Sequence, residues 1–181
     1  IPSRLVGSEM CIRDRSGTSN LAYGLVAYEF EKIDSSYRSS ISVQSSLVIH
    51  PINEFGSQEQ KDKFLPPLIK GEKIGCFGLT ESEAGSDPAS MKTSFKKTKD
   101  GYILNGSKNW ITNAPIADIF IIWAIEENKD HKSIKGFIIE KNTEGLNTST
   151  IENKTSLKIS PTGQIILNLS LIHISEPTRR E

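Results

Sequence analysis

At Gly71 the chain changes its hydrophobic period, and few folds tolerate such a change. Before that point apolar residues recur at helical spacing. Leu21, Leu25, Val26, Phe30 and Ile33 form one stripe within residues 18–34, and Ile41, Val43, Leu47 and Val48 form another from about residue 38 to 50. The second helix is expected to stop before Pro51, because the residue preceding a proline is pushed out of the helical region. Ser57 and Gln60 have capping-box spacing and start a third helix, which Pro66 and Pro67 are expected to end near Leu65. After Gly71 the apolar runs are short and rich in Ile, Phe and Trp: "KIGCFGL", two runs around Asp100-Gly101 that read as a hairpin, then "KNWIT", "DIFIIWAIE", "KGFIIEK" and "GQIILN". Helices and strands kept apart in this way argue against a doubly wound sheet. The expected class is α+β, with helices to about residue 70 followed by an antiparallel β domain.

Charge narrows the partners. Lys+Arg and Asp+Glu are both 22, so no basic face points to nucleic acid. The longest apolar run, "IFIIWAI", is far short of the roughly 20 residues that span a bilayer, which argues against membrane insertion and for a buried strand. Cys11 and Cys76 are too few for a disulfide framework or a zinc site, and a reducing compartment is expected. The polar segment "EENKDHKSIK" reads as an exposed loop.

The two ends carry a different signal. The DNA string CTCGTGGGCTCGGAGATGTGTATAAGAGAC translates as Leu5 through Asp14, and its reverse complement, one base out of phase, as Ser170 through Thr178. One strand and its complement thus encode both termini, as a translated sequencing-library adapter would. Residues 1–15 and 169–181 are therefore expected to be non-native. On this reading Met10, Cys11 and His173 carry no functional information, and the natural protein continues past both ends.

Within the remainder, "CFGLTESEAGSDPAS" places Thr80, Glu81, Gly85 and Ser86 directly after a strand. Small hydrogen-bonding groups and a glycine suit a backbone nest for carbonyl or phosphate oxygens, although on composition alone the same residue types more often make an ordinary surface turn. "NWITNA" adds Trp110 and Thr112, expected on one face of a strand by period-two alternation. An aromatic plane beside a hydroxyl would suit a flat heteroaromatic ring, although a strand tryptophan is more often core.

Together these segments resemble a known family. "GLTESEAGSDPAS" and "NGSKNWITNAPIADIFIIWA" look like two successive motifs of the acyl-CoA dehydrogenases. The stretch "YRSSISVQSSLVIHPINEFGSQEQKDKFLPPLIKGEKIGCFGLTE" is similar to the glutaryl-CoA dehydrogenase branch, a step in lysine and tryptophan degradation. The resemblance implies an FAD enzyme with an N-terminal helical domain, a middle β-barrel and a C-terminal helical bundle, usually a homotetramer. Residues 16–70 would end the first domain and residues 71–168 would make most of the barrel.

By the same resemblance Phe77, Gly78, Leu79, Thr80, Glu81, Gly85 and Ser86 line the flavin, and Trp110, Ile111 and Thr112 pack on its ring with Thr112 toward N5. Ser86 would also reach the acyl-CoA, while Arg38 and Ser39 would close the acyl pocket against the distal carboxylate of a dicarboxylic substrate. Guanidinium chemistry suits that task, since it binds a carboxylate through two parallel N–H bonds. The implied reaction is dehydrogenation and decarboxylation of glutaryl-CoA to crotonyl-CoA. The implied electron acceptor is an electron-transferring flavoprotein, and the compartment the bacterial cytoplasm or the mitochondrial matrix. The family's catalytic glutamate lies in the C-terminal bundle, so no residue here is expected to be the base, Glu81 included. Lys158 stands where close relatives commonly have Arg, which puts a bidentate contact there in doubt. The alternatives are another short-chain or dicarboxylic acyl-CoA dehydrogenase, and a non-catalytic module that binds acyl-CoA or flavin.

Overall fold

A computed structural model describes residues 20–129 and 133–173; Met10 and Cys11, with the rest of the N-terminal adapter segment, lie outside them. The helical layer comprises α1 (Asn20–Ile33), α2 (Ser35–Ser42), α3 (His50–Phe55) and α4 (Gln58–Ile69). Asp34 caps α2 by accepting the Ser36 N–H at 2.6 Å. Ser57 and Gln60 form both halves of the capping box at α4, as their spacing predicts.

Two expectations about proline fail. The chain stays helical past Pro51, because Val43–Ile49 winds as a π-helix that joins α2 to α3. The His50 N–H reaches back five residues to Ser45 O, and this wider turn leaves room for the Pro51 ring. Likewise α4 runs through Pro66 and Pro67 to Ile69. Both prolines sit in its last turn, where the amides of Lys70, Gly71, Glu72 and Lys73 close the helix end onto the carbonyls of Pro66, Pro67 and Leu68. Each proline lacks the N–H that would bond into the preceding turn, and its ring crowds the carbonyl four residues back; the helix carries this cost where it ends within the same turn.

Seven strands follow: β1 (Gly75–Gly78), β2 (Ser94–Lys97), β3 (Gly101–Thr112), β4 (Ile119–Glu126), β5 (Lys135–Glu140), β6 (Leu146–Thr150) and β7 (Thr162–His173). They make one curled sheet in the order β1-β4-β2-β3-β7-β6, with β5 on the other edge of β4. Most pairings are antiparallel, including the β2–β3 hairpin across Asp100-Gly101. β1 and β2 instead run parallel to β4. "KNWIT" is the end of the long strand β3 and not a strand of its own. β7 continues to His173, so Ser170, Leu171, Ile172 and His173, read from the sequence as adapter, pair with residues 101–104.

β4 explains the unbroken apolar run. Its Phe120 and Ile122 point into the barrel with Phe95, Leu104, Phe137 and Ile165. Ile119 and Ile121 point the other way, onto Val48, Ile49, Ile52, Phe64 and Leu68 of the helical layer. A strand covered on both faces has no need of polar alternation. Helices and sheet are joined by Gln44, which is buried within the π-helical turn. Its Nε2 donates to Lys73 O at 2.9 Å and Leu68 O at 3.3 Å, and its Oε1 accepts the Gly75 N–H at 2.7 Å. Gly75 permits this close approach, since a Cβ there would lie 2.4 Å from Val48 Cγ1. No helix among the described residues is long and apolar enough to cross a membrane.

Candidate functional site

The loop at residues 79–93 leaves the sheet at the end of β1 and returns at β2, and both strands lie along the same edge of β4. Its base is tied down inside the protein. Glu81 Oε2 accepts the Lys92 N–H at 2.7 Å, and Oε1 accepts the Thr93 N–H at 3.0 Å and Lys108 Nζ at 2.7 Å. Glu81 and Ala84 exchange backbone hydrogen bonds in both directions, which makes a tight turn. Burial pushes the Glu81 carboxyl upward, but the bonds from Lys108, Lys92 and Thr93 outweigh it and hold the group below its ordinary range. Lys108, from β3, is fully buried; desolvation lowers its ammonium from the usual lysine range, against the opposing pull of Glu81.

One residue beyond Lys108, the Asn109 N–H donates to Thr80 O at 2.9 Å. Trp110 then takes a left-handed backbone, φ 60°, inside a register shift between Lys108 and Ile111. A left-handed conformation is rare for a bulky residue and marks a position under constraint. Strict alternation across "NWIT" therefore fails at Trp110. The bulge turns the indole outward, 60% exposed, while Ile111 is buried.

Trp110 and Thr112 nonetheless share a cavity. It measures about 380 Å³ and is lined by Phe77, Leu79 and Thr80 on one side, Trp110, Ile111 and Thr112 on another, and Val43 and Leu47 of the π-helical turn on a third. A second, open hollow of about 490 Å³ lies against Trp110 and Thr112 and is lined also by residues 151–157 and Thr162. Trp110 thus stands between two hollows, each within the size range of small-molecule sites. The side chains lining the first are mostly apolar, with the hydroxyls of Thr80 and Thr112 and the indole N–H of Trp110 as polar groups, which suits a flat ring with polar atoms at its edge.

The other sequence-nominated residues lie elsewhere. Gly78 faces the barrel interior, where a Cβ would meet Ile122 Cδ1 at 2.6 Å. Glu81 is engaged with Lys108 and the loop backbone. Gly85 and Ser86 are exposed on the loop, and the space beside Gly85 is open, with no left-handed φ to require a glycine. Arg38 and Ser39 precede Val43 on the same helical run and do not line the cavity. Arg38 Nε donates to Glu31 Oε2 at 2.8 Å, with both side chains about half exposed. Hydrogen bonds from Ser35 and then Arg38 hold the Glu31 carboxyl below its ordinary range. Cys76 is buried, and desolvation raises its thiol well out of the nucleophilic range. Lys158 and Lys154 both line an open hollow formed by the loop between β6 and β7. Sequence reading missed Val43, Leu47 and Lys108. Only Lys108 left a trace, as a charged residue within the run of β3.

Comparison with known proteins agrees with the overall architecture. The model of the acyl-CoA dehydrogenase N-terminal domain matches residues 14–72, and that of the acyl-CoA dehydrogenase middle domain matches residues 76–169. A short-chain specific acyl-CoA dehydrogenase of Clostridium acetobutylicum is 36% identical over 92% of this chain and 44% of its own length. A glutaryl-CoA dehydrogenase of Mycobacterium smegmatis, solved in complex with FADH2, superposes with a TM-score of 0.89 at 37% identity, covering 98% of this chain and 47% of that one. Butyryl-CoA dehydrogenase of Megasphaera elsdenii superposes with a TM-score of 0.86 at 34% identity, covering 98% and 48%. The chain spans less than half the length of each of these relatives. With both domain models matched in order and the helical layer, curled sheet and Trp110 cavity in place, the chain belongs to the acyl-CoA dehydrogenase family.

Proposed function

We propose that this chain forms the N-terminal and middle portions of an FAD-dependent acyl-CoA dehydrogenase that, in its full-length form, oxidises glutaryl-CoA. The observation that carries the dehydrogenase reading is the cavity between Thr80 and Trp110. Its residues fit a flavin: an exposed indole, two hydroxyls, apolar side chains from Val43, Leu47, Phe77, Leu79 and Ile111, and an open glycine on the adjoining loop. When bound, FAD supplies a two-electron acceptor for the hydride leaving the substrate's β-carbon.

Each part of the chain then has a task. Phe77, Leu79 and Ile111 shield the ring from water, and Trp110 gives it a plane to pack on. Thr80 and Thr112 present hydroxyls that fix its orientation. Gly85 and Ser86, on the exposed loop, offer backbone N–H groups and a hydroxyl to the anionic part of a dinucleotide or to acyl-CoA. None of the side chains lining the cavity is a carboxylate, an imidazole or an amine, so the base that removes the α-proton must come from elsewhere in the full-length enzyme. Assembly as a homotetramer, an electron-transferring flavoprotein as acceptor, and a bacterial cytoplasmic or mitochondrial matrix setting belong to the same reading.

The narrower assignment to glutaryl-CoA rests on Arg38, whose guanidinium would meet the distal carboxylate. One observation favours a second reading: Glu31 already neutralises Arg38, an arrangement compatible with a short monocarboxylic acyl chain. Both readings predict that the full-length protein purifies yellow and bleaches on anaerobic addition of a short acyl-CoA. A colourless protein, or a yellow one that no acyl-CoA bleaches, would instead favour a non-catalytic binding module.

A further inference from the structure

The buried pair Glu81–Lys108 carries no role in the chemistry described above, yet it lies directly behind the cavity. Lys108 Nζ donates to Leu79 O at 3.1 Å and Glu81 Oε1 at 2.7 Å, and lies 3.9 Å from Met91 Sδ. All three ammonium protons thus have an acceptor, the third a weak one. Glu81 in turn holds the amides of Lys92 and Thr93, where the loop rejoins the sheet. The next residue after Lys108 binds Thr80 O, and the one after that is Trp110. A single buried ammonium therefore links the start of the loop, its end and the bulge that turns the indole outward.

Buried ion pairs are weak contributors to stability, because desolvation cancels much of their attraction, and an apolar pair of similar volume is often as stable. Geometry is the better explanation for this one. Resting on the flavin reading above, we propose that Lys108 is a positioning residue: together with Glu81 it sets the spacing between the Leu79–Thr80 wall and the Trp110 wall of the cavity. It touches neither wall's exposed surface and acts through the carbonyl of Leu79, the carboxylate of Glu81 and the strand backbone.

The test uses the full-length protein with Lys108→Met and, as a charge-neutral companion, Lys108→Met combined with Glu81→Gln. Two readouts are taken. The first, amide hydrogen exchange, does not depend on flavin: residues 79–84 and 92–93 should exchange about tenfold faster or more, while the β3–β7 ladder stays protected. The second is the holoenzyme. Its flavin absorption bands should shift, and kcat should fall by about 10- to 100-fold with KM for acyl-CoA within about twofold, as expected when reacting groups are misplaced but binding is intact. Unchanged exchange in this loop overturns the proposal, as does a wild-type flavin spectrum with kcat within about twofold. Failure of both variants to fold also overturns it, since the pair would then act on global stability. A colourless wild-type protein would sink the flavin reading alone, because the exchange measurement still tests the clasp.

Discussion

Replacing Gln44 by leucine is expected to lower the stability of the chain by roughly 3 kcal/mol or more, read as a fall in urea midpoint at unchanged slope. Leucine has a similar volume, so the loss comes from hydrogen bonding and not from a void. The wild-type amide satisfies Leu68 O, Lys73 O and the Gly75 N–H, all at the junction of helices and sheet. Leucine removes all three bonds: Leu68 O keeps the Gly71 N–H as its donor, whereas the Gly75 N–H and Lys73 O lose the partner that Gln44 supplied, at about 1–3 kcal/mol for each that finds no substitute. Gln58→Leu is the control: Gln58 is exposed, its side chain bonds Asp62 on the helix surface, and its loss should stay within about 0.5 kcal/mol. A Gln44→Leu chain destabilised by less than about 1 kcal/mol would mean that water or a rearranged helix takes over the three bonds. The functional consequence follows from position. Val43 and Leu47 flank Gln44 in the π-helical turn and form one wall of the cavity, so loosening this junction also opens the site.

The second large effect concerns substrate choice. With glutaryl-CoA as substrate, Arg38→Gln in the full-length enzyme is expected to lower kcat/KM by about 10- to 100-fold, the worth of one charge-assisted carboxylate contact. With butyryl-CoA the same change should stay within about twofold. Glu31 holds Arg38 through Nε, and neither terminal nitrogen has a hydrogen bond to a described residue, so the forked end is able to take a second carboxylate. Equal effects on both substrates would remove Arg38 from recognition, and a wild-type preference for butyryl-CoA would settle the choice in favour of the monocarboxylic reading.

How much of this was legible beforehand depended on how far each signal reaches along the chain. The capping box at Ser57 and the hairpin at Asp100-Gly101 are local, written within a few residues, and both formed as expected. The "IFIIWAI" run announced a buried strand, and the structure adds that it is covered on both faces, which is why it lacks polar alternation. Proline misled in two places. Its local penalty is real, but a π-wound turn before Pro51 and a helix end after Pro67 absorb it, and neither is visible in the proline itself. The site divides in the same way. Phe77, Leu79, Thr80, Trp110, Ile111 and Thr112 were nominated from two motifs and meet around one cavity. The left-handed bulge at Trp110 was not foreseen, since it adjoins Lys108, whose partners Leu79 and Glu81 lie 29 and 27 residues away in the chain. The contribution of Val43 and Leu47 was hidden because a helical residue does not announce which strand it will face.

The most direct measurement is a crystal structure of the full-length protein grown with FAD. The isoalloxazine ring is expected in the cavity between Thr80 and Trp110, packed on the indole, with the Thr80 or Thr112 hydroxyl bonded to its edge. A flavin bound elsewhere, or a Thr80–Trp110 cavity filled by the protein's own side chains, would contradict the account.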